Sequence, residues 1–185
     1  MADTKWIVDP MHSELNFKVK HLMISNVSGS FTEFGAEVWT KGEDFSTARI
    51  VATINAASVN TNNKQRDAHL QNSDFFEVEK FPEIRFESES IQKIDDEQFI
   101  VHGQLTLRGV TKPVKLNVEH SGVTKDPWGG ERAGFSITAK IIRSEFGVSF
   151  NGVLETGGLA LGDEVKLSSE VQLVKQTADV TAVTA

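Results

Sequence analysis

The chain has 185 residues, 39% of them hydrophobic, enough for one substantial core or for two very small domains. A formal net charge of −7 argues against a nucleic-acid partner, and it leaves contact with anionic membrane only to a local basic patch. Cysteine is absent, which excludes disulfides, thiolate nucleophiles and cysteine metal sites, and no apolar run reaches the roughly 20 residues of a membrane-spanning helix.

The N-terminus, MADTKWIVDP, lacks the basic-then-apolar pattern of a secretory signal. Period-two alternation then takes over. In HSELNFKVKHL, residues Leu15, Phe17, Val19 and His21 share one face, and Glu14, Asn16, Lys18 and Lys20 share the other. The next run, SGSFTEFGAEVW, alternates less cleanly because Gly29 and Gly35 interrupt it as bends or a bulge. ARIVATINAASV is a third strand, with Ile50, Ala52 and Ile54 in phase. EIRFESESI, QFIVHGQLTLRG, KPVKLNVEHSGV, RAGFSITAKI and DEVKLSSEVQLVK complete eight strand candidates. Turn signals separate them: Asp95-Asp96, RGVTKP, DPWGGE and Gly157-Gly158. Apolar-in, polar-out alternation predicts antiparallel pairing with one wet face. A closed barrel would remove the edges, and an open sandwich is the alternative.

Between the third and fourth strands, 62–71 reads as a helix with Asn62 or Asn63 as its cap. Ser73-Asp74 starts a further turn into Phe75 and Phe76, and Pro82 extends Phe81. This excursion is either a crossover packed on the sheet or the lid of a pocket. Residues 1–175 read as one domain and 176–185 as a flexible tail.

Four stretches in this order resemble the YceI-like family of polyisoprenoid-binding proteins: WIVDPMHSELNFKVKHLMISNVSGSF, RDAHLQNSDFFEVEKFPEIRFES, LTLRGVTKPVKL and RSEFGVSFNGVLETGGLALGDEVKL. The resemblance implies an all-β, extended eight-stranded antiparallel barrel, lipocalin-like, with the short helical excursion near 62–76. It also implies an interior that holds a long-chain isoprenoid, such as a polyprenyl quinone or polyprenyl phosphate. No cofactor is required, and a bound polyisoprenoid or isoprenoid quinone is the ligand to expect. Many members are periplasmic. As written this chain is expected in the cytoplasm, or in the periplasm if a signal has been cut away. A homodimer is an open expectation.

The candidate ligand-binding residues are Leu15, Phe17, Val19, His21, Ile50, Ile54, Arg66, Phe75, Phe76, Phe86, Leu105, Leu107, Phe135, Ile137 and Ile141. Leu116 and Val118 share their phase. Phase alone does not separate a lined tunnel from a packed core. Arg66 is the candidate partner for a polar head group, with Asp67 orienting it, and local ion pairing on a helix face explains the same letters. Arg108, Lys112 and Arg143 read as turn-satisfying bases, one of them a candidate for a mouth. Trp128 reads as a cap on the barrel or a ring on its outside.

His12, His21, His69, His102 and His120 form no short metal-binding spacing. No nucleophile elbow, phosphate-binding glycine loop or metalloprotease helix motif is present, so no enzymatic function is expected. The alternatives are a structural or stress-associated interaction protein with a filled barrel, or a binder of other hydrophobic small molecules.

Overall fold

The computed structural model describes residues 3–152 and 159–177. The strands are β1 (Asp3–Val8), β2 (Glu14–His21), β3 (Ser25–Phe31), β4 (Phe34–Lys41), β5 (Asp44–Asn55), β6 (Val59–Asn60), β7 (Glu83–Lys93), β8 (Gln98–Leu107), β9 (Val110–Lys125), β10 (Glu131–Ile142) and β11 (Leu161–Lys175). The helix α1 spans Lys64–Gln71, capped by the Asn63 side chain, which accepts from Arg66 N at 3.0 Å. The fold is all-β, an eight-stranded antiparallel closed barrel with extra strands and a short helix.

The ring runs β1–β4–β5–β7–β8–β9–β10–β11 and returns to β1. One edge of β11 pairs with β10. The other is divided: Leu173, Val174 and Lys175 pair with β1, and Leu161 to Glu170 pair with β2. Thus β1 and β2 are two halves of one bent strand. The bend is written in Asp9-Pro10. Proline has no N–H for the ladder, and Asp9 Oδ1 accepts from Met11 N at 3.0 Å to cap a single 3₁₀ turn. In the same way β3 and β4 are halves of one strand, bent at Thr32-Glu33, where Ser58 accepts from Thr32 N and Glu33 N.

Gly29 serves a different purpose from the bend expected of it. A Cβ at Gly29 would collide with the Phe17 ring, so Phe17 lies across the strand where Gly29 leaves room. Gly103 in β8 likewise admits the Phe86 ring.

The end carrying β2, β3, β6 and α1 is here the upper end. Its aromatic packing includes Phe17, Phe31, Phe75 and Phe146. The lower end is closed around Trp6, which is 0% exposed and donates from Nε1 to Thr40 Oγ1 at 3.0 Å. Phe45 lies 5.1 Å from Trp6 and 4.9 Å from Phe135, and His120 stacks on Phe135 at 4.6 Å.

Two further sequence expectations differ from the fold. The strand β1 was not among the eight candidates, because WIV before Asp-Pro offers too few alternations to score as a strand on its own. Trp128 is 85% exposed at the tip of the β9–β10 turn and neither caps the barrel nor rests on it. Part of the expected tail, 178–185, and the Gly157-Gly158 turn lie outside the described residues.

An ion cluster pins the lower bend. Arg132 donates from Nη1 to Asp9 Oδ2 and to Gln172 Oε1, each at 2.7 Å, and from Nε to Asp126 Oδ2 at 3.1 Å. The Arg132 guanidinium first, and His12 second, lower the Asp9 pKa to about 2. Asp9 therefore contributes stability above the unfolded carboxylate value, and that contribution is lost as pH falls through about 2. Asp9→Asn is expected to lower the Tm at neutral pH by about 2–4 °C, with the gap to wild type closing in acid when followed by thermal melts.

Candidate functional site

Alternation sends one side chain in two into the lumen, and these side chains do not fill it. Two cavities result, an upper one of about 490 Å³ and a lower one of about 210 Å³. Leu15, Ile54, Leu105, Ile141 and Leu167 line both, so the two lie end to end along the barrel. The upper volume alone falls within the usual range of small-molecule sites, about 300–1,000 Å³.

The upper wall takes Phe17, Val19 and His21 from β2, Leu105 and Leu107 from β8, and Ile141 from β10. Arg66, His69 and Leu70 of α1 close it with Phe75 and Phe76 from the following turn. The lower wall includes Ile50, Phe86, Phe135 and Ile137, with Leu116 and Val118 of β9. Phe81 is on neither wall; its ring lies against Gly109 in the β8–β9 turn, where it anchors the crossover.

The polar side chains of the upper wall are those of Asn16, His21, Thr61, Arg66, His69 and Arg143, and none of its residues is Asp or Glu. Arg66 is held locally. It donates from Nε to Thr61 Oγ1 at 2.8 Å and from Nη2 to the Thr61 carbonyl at 2.7 Å. Asp67 Oδ1 accepts from Thr61 N and Oγ1, which ties it to the same residue rather than to Arg66. His69 Nε2 lies 2.9 Å from Asp74 Oδ2, with its ring edge-on to Phe75 and Phe150, each 5.0 Å away. Arg108 bridges the turn after α1 to the segment after β10, donating to the Ser73 and Gly147 carbonyls. His102 faces outward and is exposed.

Arg143 is the group whose place the sequence reading understated. It is 5% exposed and donates to three backbone carbonyls: Gly162 at 2.8 Å, Val148 at 2.8 Å and Phe150 at 3.0 Å. Burial pulls its pKa below the ordinary arginine value, and the Asp163 carboxylate opposes that shift from a distance. The signal was present, since Arg143 continues the inward phase of Ile137 and Ile141. Val27, Phe31, Thr61, Ile84, Val165 and Leu167 also line the upper wall without having been singled out.

Among the described residues no group of three or more His, Asp or Glu side chains is placed to hold a metal ion. With no cysteine in the chain, the site has the composition of a hydrophobic small-molecule pocket and carries no metal or thiol chemistry motif.

The family profile described as a YceI-like domain matches residues 6–173. A UPF0312 protein of Staphylococcus aureus is 41% identical over 170 residues, 91% of this chain and 96% of its own length. The crystal structure of the Campylobacter jejuni YceI protein superposes with a TM-score of 0.73 at 37% identity, covering 86% of this chain and 91% of that one. A polyisoprenoid binding domain from Saccharophagus degradans shares the fold, with a TM-score of 0.66 at 16% identity over 91% of this chain and 97% of that chain.

Removing the guanidinium takes from the Gly162, Val148 and Phe150 carbonyls the donors that Arg143 supplies. Arg143→Met is expected to destabilise the protein by about 2–4 kcal/mol in denaturant titrations, and Arg143→Lys to recover only part of that loss.

Proposed function

The chain belongs to the YceI-like family, and on that premise we propose that its barrel binds one long-chain isoprenoid, a polyprenyl quinone or polyprenyl phosphate, and stores, shields or carries it. The observation that supports this reading most is the end-to-end pair of apolar cavities inside a closed barrel. A narrow flexible chain suits that shape better than a compact ligand. The fold shared with a protein described as polyisoprenoid-binding points the same way. The ligand-contacting residues in this proposal are Leu15, Phe17, Val19, His21, Ile54, Arg66, Phe75, Phe76, Leu105, Leu107 and Ile141 above, with Ile50, Phe86, Phe135 and Ile137 below.

The energetics permit it. Burying apolar carbon yields about 0.8 kcal/mol per CH₂, so a five-carbon prenyl unit supplies roughly 3 kcal/mol as an upper estimate. Three units approach the roughly 8 kcal/mol of a micromolar complex before ordering costs are subtracted. The segment from α1 to Phe76 then acts as a lid. Spin labels at Gln65 and Gln71 lose mobility on ligand binding under this proposal, and unchanged mobility removes the lid role.

Delipidated protein titrated with prenyl quinones of increasing length tests the binding itself. Affinity is expected to rise by at least about tenfold per added unit, below the roughly 150-fold that 3 kcal/mol would give, until the chain reaches the end of the lower cavity. Ile54→Trp, at the junction of the cavities, is expected to spare short chains and abolish the gain from longer ones. Failure to take up any prenyl chain would contradict the proposal.

A further inference from the structure

The turn joining β2 to β3 is Leu22-Met23-Ile24, and these side chains are 40%, 66% and 84% exposed. Three consecutive large apolar residues at the tip of a hairpin are an unusual display for a soluble surface. The tip is fixed in place, because Leu22 N donates to the Ala160 carbonyl at 2.8 Å. It also stands at the cavity rim. His21 just before it, Val27 just after it, and Ala160 beside it all belong to the upper wall.

A second feature lies on the outer wall below this tip. Register places Lys166 of β11 directly opposite Lys18 of β2 on one side and Lys140 of β10 on the other. Lys20 is one outward position nearer the tip. All four are exposed, and none takes part in an ion pair among the described residues. Like charges directly opposite one another in a sheet are destabilising, so this row is not explained by the fold. On the same face, the neighbouring β3 positions Asn26 and Ser28 are uncharged, and on β11 the exposed carboxylates of Asp163, which is bonded to Ser144, and Glu164 lie between the row and the tip. In a chain of net charge −7, four of the 19 basic residues lie together on the wall that leads to the apolar tip.

We propose that this end of the barrel docks on an anionic lipid bilayer, with Leu22, Met23 and Ile24 entering the interface and Lys18, Lys20, Lys140 and Lys166 facing the lipid phosphates. Lys18 lies four residues from Leu22, about 13 Å along an extended strand, so long lysine side chains bring the charges within about one Debye length of a surface the tip has entered. The combination of apolar anchor and basic flank is the one that holds peripheral proteins to anionic membranes. A second copy of this chain fits the patch less well, since its own lysine row would face this one. Docking here sets the rim of the upper cavity against the bilayer. It adds to the isoprenoid reading a place where the ligand enters and leaves, and it is tested without any isoprenoid present.

Flotation of the delipidated protein with phosphatidylcholine vesicles, and with equimolar phosphatidylcholine–phosphatidylglycerol vesicles, reads the docking directly. The wild type is expected to float with the anionic vesicles and to be released by high salt. The triple variant K18Q/K140Q/K166Q is expected to bind them about 100-fold more weakly, at roughly fivefold per lysine. Ile24→Asp is expected to lose at least about tenfold while keeping wild-type circular dichroism, because its side chain is exposed. Wild-type protein that stays with the buffer overturns the proposal, as does equal binding by wild type and variants. Concentration-dependent dimerisation lost in Ile24→Asp, without vesicle binding, would assign the patch to a second copy instead. Ligand uptake from detergent, measured on the same variants, is expected to stay at the wild-type level, so a failure of docking is distinguishable from a failure of isoprenoid binding.

Discussion

The architecture hangs on the divided edge of β11. A single strand must close the ring, and it does so by pairing with β10 along one side and with β1 and β2 in succession along the other. That division requires the chain between β1 and β2 to bend without leaving the sheet. Asp9 and Pro10 make the bend, and Arg132 holds it to β10 and the β9–β10 turn. Without closure the barrel would present two edges, and the inward apolar face would be open to water. With closure that face becomes a lumen.

The lumen is hollow because its filling is uneven. Aromatic rings crowd the lower end around Trp6, Phe45 and Phe135, and another set crowds the upper end around Phe31 and Phe146. Between them Leu15, Ile54, Leu105, Ile141 and Leu167 line both cavities. Wall atoms with no partner opposite forgo dispersion contacts, and an apolar occupant restores them. The charged and titratable groups on the cavity walls stand at the upper end. Thr61 satisfies Arg66, and three carbonyls satisfy Arg143, so both cations are held in position before any ligand arrives.

The lumen was the most legible part of the sequence. Strict alternation in ELNFKVKH and QFIVHGQLTL fixes which residues face inward, and every proposed lining residue occupies a cavity wall. Whether those residues form a core or a tunnel was not legible, because phase gives direction and not distance across the barrel. The strand β1 was missed since its hydrophobic pattern is short and its partners, β4 and β11, lie far along the chain. Arg143 was read as a turn residue because an arginine after a strand usually is one, although its phase pointed inward. The lysine row could not be seen at all. Lys18, Lys140 and Lys166 become neighbours only through the register of three strands.

The central claim is that the lumen is a site for one isoprenoid chain. Native mass spectrometry of protein purified from its own host, followed by solvent extraction and lipid mass analysis, tests it most directly. The expected result is a stoichiometric adduct whose homologues differ by five-carbon units. An unliganded protein that also refuses polyprenyl quinone and polyprenyl phosphate in solution would contradict it.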